Sequence, residues 1–140
     1  MRLVLDTNVV ASALLWGGVP RVLLQSRREQ RVMLFTSTPL LAELTDILGR
    51  RRFEKKIAAS LMSVDQLVDR YSDLTLMVRP IAVTGVAPDP DDDVVIGTAL
   101  AARAELIVTG DKGLLSVNAH QGVRVVGVGE AVAEIEKVRK

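Results

Sequence analysis

The chain has 140 residues, 49% of them apolar, a net charge of +1 at pH 7 and no cysteine. That length suits one domain, and that apolar fraction supports a packed core, which excludes wholesale disorder. Without cysteine, and with His120 as the sole histidine, disulfides, thiolate nucleophiles, Cys-ligated zinc, iron–sulfur clusters and multi-His metal sites are excluded, leaving carboxylates, hydroxyls, amides, Lys and Arg for chemistry.

The opening run Arg2-Leu3-Val4-Leu5 predicts a short buried strand that ends at Asp6. Charge enters this segment too early for a signal peptide, and no apolar run approaches the ~18 residues of a bilayer span, so a soluble, cytoplasmic protein with no membrane partner is expected. Residues 8–15 are apolar at helical spacing and stop at Gly17-Gly18. Pro20 then stands where a first-turn proline belongs, for a second helix over 21–30. Residues 32–35, a β-branched and aliphatic run closed by Phe35, predict a strand. Thr38-Pro39 pairs an N-cap with a proline at the first helical position and opens a helix through Leu48. Residues 51–59 predict helix. Ser63 is placed to cap another over 64–73, whose Val64, Leu67, Val68 and Tyr71 share a face. A strand over 74–78, a Pro- and Gly-bearing loop over 80–90, an Ala-rich helix over 91–103, strands over 105–108 and 123–126, and a helix over 130–138 complete the series. No repeat or low-complexity linker interrupts it, so residues 1–140 are expected to form one domain.

Strands alternate with helices, and each strand is a nearly continuous aliphatic run. That pattern predicts an α/β fold with a parallel sheet covered on both faces. In such folds function sits outside the carboxyl ends of the strands.

The balanced net charge hides an asymmetry. Residues 1–80 carry 12 Lys/Arg against 8 Asp/Glu, and residues 81–140 carry 6 against 9. Basic residues cluster at Arg27, Arg28 and Arg31 and at Arg50-Arg51-Arg52 with Lys55 and Lys56; acids cluster at Asp89, Asp91, Asp92 and Asp93. A basic run is commonly a solvated helix face. An acidic cluster beside it in so small a chain is also what a metal-dependent enzyme acting on a polyanion requires. With aromatics at 3%, a stacking platform of several rings for single-stranded nucleic acid is not expected.

Asp6 directly follows the first strand, and Asp111 stands just beyond the strand at 105–108, so both belong to one sheet edge. Each also reads as a cap for the next turn or helix. Glu43 lies in the second turn of its helix among Leu40, Leu41, Leu44, Ile47 and Leu48, and must point to a rim, a partner or a metal; Asp46, one turn on, competes with it. At Asp89-Pro90-Asp91-Asp92-Asp93 the helix dipole favours an acid or two, and four exceed what capping needs. Helical spacing puts Asp89, Asp92 and Asp93 on one face and Asp91 elsewhere. Like charges ~4 Å apart cost about 4 kcal/mol at an effective dielectric near 20, so converging acids shift their pKa values or bind a cation. An all-oxygen set suits Mg²⁺ or Mn²⁺.

Four segments in this order, Leu3-Val4-Leu5-Asp6-Thr7-Asn8-Val9, Pro39-Leu40-Leu41-Ala42-Glu43-Leu44, Asp89-Pro90-Asp91-Asp92 and Leu106-Ile107-Val108-Thr109-Gly110-Asp111-Lys112, resemble the PIN-domain family across nearly the whole chain. The chain looks most like its branch of VapC-like toxins. The resemblance implies a three-layer α/β/α sandwich around a mostly parallel sheet, and Mg²⁺- or Mn²⁺-dependent hydrolysis of RNA phosphodiesters. It also implies a small antitoxin partner and a homodimer. Asp6, Glu43, Asp92 and Asp111 match the family's acidic quartet, as catalytic and metal-binding residues. Asp92 is preferred to Asp93 by the register of Val95-Ile96-Gly97-Thr98-Ala99-Leu100. Asn8 and Thr109 match supporting positions, with Asp89 and Asp93 beside them. Arg50, Arg51, Arg52 and Lys55 are candidates to track an RNA backbone, a role that plain surface solvation of the run rivals.

Two other readings compete. A PIN-like fold that keeps the acids can bind RNA or protein without cutting. A phospho-acceptor receiver domain, with Lys112 as its lysine, also has acids at a sheet edge, but it needs an acid pair after the first strand, where Leu3-Val4-Leu5 leads to a single Asp6. A dinucleotide-binding domain lacks its Gly-x-Gly-x-x-Gly after the first strand.

Overall fold

The central strand β1 (Arg2–Leu5) is flanked by β2 (Met33–Thr36) and β4 (Leu106–Val108) in a computed structural model that describes residues 1–138. The last two residues of the expected domain, 139 and 140, lie outside the described residues. With β3 (Thr75–Met77), β5 (Ala119–His120) and β6 (Val123–Val126) the sheet runs β3-β2-β1-β4-β6-β5, parallel throughout except at the β5–β6 edge. The parallel sheet expected from the aliphatic runs is therefore present.

Alternation along the strands divides the core in two. Leu3 and Leu5 of β1 face one layer, with Leu34, Leu106 and Val108. That layer is built by α1 (Thr7–Leu15), α2 (Val19–Arg28), α3 (Thr38–Leu48), α5 (Val64–Ser72) and α8 (Val128–Lys137). Val4, Phe35 and Ile107 face the other, covered by α6 (Asp93–Ala102) and α7 (Lys112–Leu115). The result is three layers, α/β/α. Leu3, Val4 and Ile107 are fully buried, which is why the middle strands carry no polar alternation. At the edge strand β3, Leu76 and Met77 are half-exposed.

Several boundaries differ from the sequence expectation for identifiable reasons. The α2 helix starts at Val19 behind Gly18, whose φ of 90° suits glycine, so Pro20 sits one position further in. Thr38 is the first residue of α3 rather than its cap: Ser37 holds that position, and its hydroxyl pairs instead with Thr98 Oγ1 at 2.9 Å, tying α3 to α6. The stretch expected as helix over 51–59 opens as a 3-10 turn, Arg51–Phe53, before α4 (Glu54–Ser60). Another 3-10 turn, Pro90–Asp92, precedes α6. The Ser63 cap is present, completed by a reciprocal bond with Gln66. Two short elements have no counterpart in the sequence reading: α7 and the two-residue β5, which doubles back on β6 through Gln121-Gly122 at φ 48° and 86°.

The loop from β3 to α6 is strapped across the helix at Gly97. The Ile81 N–H donates to the Gly97 carbonyl at 3.1 Å, and a Cβ at 97 would overlap the Ile81 carbonyl oxygen. Glycine here lets the loop pass close and deliver Asp89 to the sheet edge. Among the described residues no single helix is long and apolar enough to cross a membrane.

Candidate active site

Parallel pairing of β1 with β4 aligns Leu5 with Val108, and the Asp6 N–H continues the ladder onto the Val108 carbonyl at 2.9 Å. Asp6 and Thr109, far apart in sequence, thus leave the sheet side by side. Asp6 is 5% exposed and caps α1. Its Oδ1 accepts the Thr7 N–H at 2.8 Å and its Oδ2 the Thr109 hydroxyl at 2.7 Å. Thr109 Oγ1 in turn accepts the Asp111 N–H at 3.0 Å, and Asp111 caps α7 by accepting the Leu114 N–H at 2.8 Å. On the other side the Thr7 hydroxyl donates to Glu43 Oε1 at 2.7 Å. Glu43, Asp6 and Asp111 are therefore joined in one hydrogen-bonded chain through two threonines. A carboxylate offers about four lone-pair sites, so each retains acceptor capacity toward the pocket.

Among the described residues that pocket, about 560 Å³, is lined by seven carboxylates, Asp6, Glu43, Asp46, Asp89, Asp91, Asp92 and Asp111, with Asn8 and a single cation, Arg50. The four nominated acids all reach it. Burial raises the pKa of Asp6, and the Asp111 charge adds to this, against the lowering effect of the Thr109 and Thr7 hydrogen bonds. Asp92 is pushed up to about 6, first by burial and then by the charges of Asp6, Asp111, Asp89 and Glu43. Three acids from distant segments, and Asp89 from its own turn, thus act on one carboxyl. Among the described residues no three of these groups stand close enough to cage a cation unaided. A cage is not what Mg²⁺ asks of a protein: it keeps several waters and takes one or two carboxylates plus substrate phosphates. The all-oxygen donors and the excess negative charge fit such an ion.

The neighbours of the quartet divide. Asp89 lines the pocket while its Oδ1 accepts the Asp91 N–H at 3.0 Å as the cap of the 3-10 turn. Asp91, expected to point elsewhere, lines the pocket too. Asp93 does not share their face. It is buried and accepts the N–H groups of Gly85, Val86 and Ala87 at 3.0, 3.2 and 2.8 Å, anchoring the incoming loop. The cause is the 3-10 turn, whose tighter winding breaks the α-helical spacing on which the shared face was reasoned. Asn8 is an exposed wall of the pocket, whereas Thr109 is fully buried against Asp6. Thr7 escaped the sequence reading as a supporting residue; its signal was its place directly after the strand-end aspartate. Asp46 is exposed and paired with Arg50 at 3.4 Å, so Glu43, fixed by Thr7, is the better-held carboxylate of the two. Of the basic run, Arg50 stands at the rim and Arg52 in an adjoining groove, while Arg51 and Lys55 are exposed and line neither.

The Asp92 environment has a measurable consequence. Its folded pKa lies above the ordinary value of 3.8, so its contribution to stability is complete below pH 4 and is lost as pH rises through about 6. Fully buried, such a shift would be worth roughly 3 kcal/mol; at this half-exposed position screening leaves about 1 kcal/mol. The expected result is that chelator-treated protein loses urea stability between pH 4 and 6.5, about 1 kcal/mol of it from Asp92, and that Asp92→Asn reduces this slope to what the likewise raised Asp6 carboxyl contributes.

An α/β sandwich with a carboxylate-lined pocket at the carboxyl edge of its parallel strands defines the structural class. The PIN domain matches residues 2–113, a span that holds all four nominated acids, and the chain belongs to that family. This sets aside the receiver reading, in keeping with the buried Thr36 and Ser37, rather than an acid, at the end of β2. A chain in the crystal structure of VapBC2 from Rickettsia felis bound to a DNA fragment from their promoter shares the fold, with a TM-score of 0.60 and 14% identity over 91% of this chain and 98% of that one. No curated protein matches the chain.

Proposed function

We propose that this PIN-domain protein is a Mg²⁺- or Mn²⁺-dependent endoribonuclease, the toxin of a type II toxin–antitoxin pair, acting in the cytoplasm as a homodimer that a small antitoxin restrains. The observation that carries the nuclease reading is the convergence of Asp6, Glu43, Asp92 and Asp111 on one pocket, with three of them joined through Thr7 and Thr109. The antitoxin partner is supported by the shared fold with a chain of a VapBC2 assembly.

Asp6, with one or more of Glu43, Asp92 and Asp111 and with water completing the set, would hold the ion. A bound divalent cation supplies neutralisation of the phosphate and a water acidic enough to become a nucleophile near neutral pH. The chain's own residues do the remaining work. Thr109 and the Thr7 N–H fix both oxygens of Asp6, and the Thr7 hydroxyl fixes Glu43, so these carboxylates are oriented before substrate arrives. Among the described residues Arg50 offers the only guanidinium at the rim, where it can draw in a phosphate that the carboxylates otherwise repel.

Incubation of the purified chain with single-stranded and structured RNAs tests the proposal. Cleavage with Mn²⁺ or Mg²⁺, and none with chelator, is expected. Intact RNA under every condition, with RNA or protein still bound, would favour the non-catalytic module.

A further inference from the structure

We infer that the groove beside the acidic pocket is a stacking subsite for one unpaired base of the substrate RNA, with Trp16 as its floor; this rests on the ribonuclease reading. The chain has four aromatic residues, and Phe35 and Tyr71 are spent in the core. The other two meet at the core's margin: Trp16, 37% exposed, stands edge-to-face on the buried Phe53 with ring centres 5.6 Å apart. Each carries a cation, the Lys56 ammonium 5.1 Å from the Trp16 ring centre and the Arg52 guanidinium 4.8 Å from that of Phe53. The groove they form, about 430 Å³, is lined by Asn8, Ser12, Trp16, Arg52 and Phe53, and among the described residues no carboxylate lines it. Asn8 is also a wall of the acidic pocket, so the two spaces adjoin.

An apolar ring framed by cations matches a nucleotide, with a π-face for the base and positive charge for the flanking phosphates. Continuity through Asn8 puts that nucleotide next to the acids. Base–aromatic stacking outweighs a cation–π contact at an exposed ring, so a base displaces the Lys56 ammonium from the indole and leaves it free for a phosphate. Composition argues against a platform of several rings, and one ring serves one base. A duplex keeps its bases stacked inward and cannot offer one, so the subsite selects unpaired RNA.

Trp16 is the only tryptophan, so its emission reports on this groove alone. Asp6→Asn protein in Mg²⁺ is titrated with a fluorescein-labelled ten-nucleotide single-stranded RNA for anisotropy, and with the unlabelled strand and its duplex for indole emission. The single strand is expected to quench Trp16 and the duplex is not. Trp16→Ala is expected to weaken binding roughly 5- to 100-fold, with Trp16→Phe restoring most of it. In the enzyme with its acids intact, Trp16→Ala is expected to raise KM and spare kcat. Trp16→Phe retains a ring against Phe53, so a loss of binding in Trp16→Ala alone with an unchanged melt of both variants is not a folding defect. Binding by anisotropy without quenching, or equal binding by Trp16→Ala, overturns the subsite and leaves the nuclease reading intact. Absence of RNA binding by this variant overturns the subsite, and the nuclease reading falls with it only where the wild-type protein also leaves RNA intact in Mn²⁺.

Discussion

Asp6→Asn is expected to reduce metal-dependent RNA cleavage by roughly 10³-fold or more, since a site that lost this proposed metal ligand would forfeit several kcal/mol of charge stabilisation and each 1.36 kcal/mol is tenfold in rate. The fold is expected to survive. Asparagine keeps one carbonyl oxygen for the Thr109 hydroxyl or the Thr7 N–H, and it removes a charge that burial holds in an unfavourable place. The melting temperature of the metal-free variant should therefore equal or exceed that of the wild type. Cleavage rates with Mn²⁺, on protein purified free of host nuclease, and a thermal melt of the same sample check both halves. A variant that cuts undiminished removes Asp6 from the mechanism; one that fails only because it unfolds shows Asp6 to be a structural cap.

Asp93→Ala is expected to have the opposite profile. Three backbone N–H groups, those of Gly85, Val86 and Ala87, lose their acceptor. Bonds to a charged acceptor contribute about 1.5–3 kcal/mol each, but Gly85 and Val86 can turn to water while Ala87 is buried, so a total near 3 kcal/mol is expected. For a chain of this size that lowers the melting temperature by roughly 10 °C. Cleavage by the folded fraction at low temperature should persist, reduced to the extent that the slackened loop moves Asp89 and Asp92. Wild-type stability with complete loss of cleavage would place Asp93 in the active site and Asp92 outside it.

The contrast between these neighbouring aspartates shows where sequence reasoning stops. The parallel sheet was readable from aliphatic runs, because strands buried on both faces have no polar side to show, and Leu3, Val4 and Ile107 are buried as that requires. From the sheet it followed that Asp6 and Asp111 share an edge. Helical spacing then predicted which of four consecutive acids face together, and there a single 3-10 turn reverses the roles of Asp91 and Asp93. Nothing in the composition of Pro90-Asp91-Asp92 distinguishes a 3-10 turn from the first turn of an α-helix. Thr7 was hidden for a related reason: its hydroxyl serves Glu43, a partner 36 positions away that only the packing of α1 on α3 supplies. The strap at Gly97 likewise depends on a loop crossing the helix, which local pattern does not encode. Polar residues that serve one another across the fold leave no periodicity.

The central claim is that carboxylates from separate segments share one divalent ion, and crystals grown with Mn²⁺ test it most directly through the anomalous signal of the metal. A peak is expected in the pocket against the Asp6 carboxylate and at least one of Glu43, Asp92 and Asp111. No peak there at saturating Mn²⁺, or one confined to Asp46 and the outer rim, would contradict it.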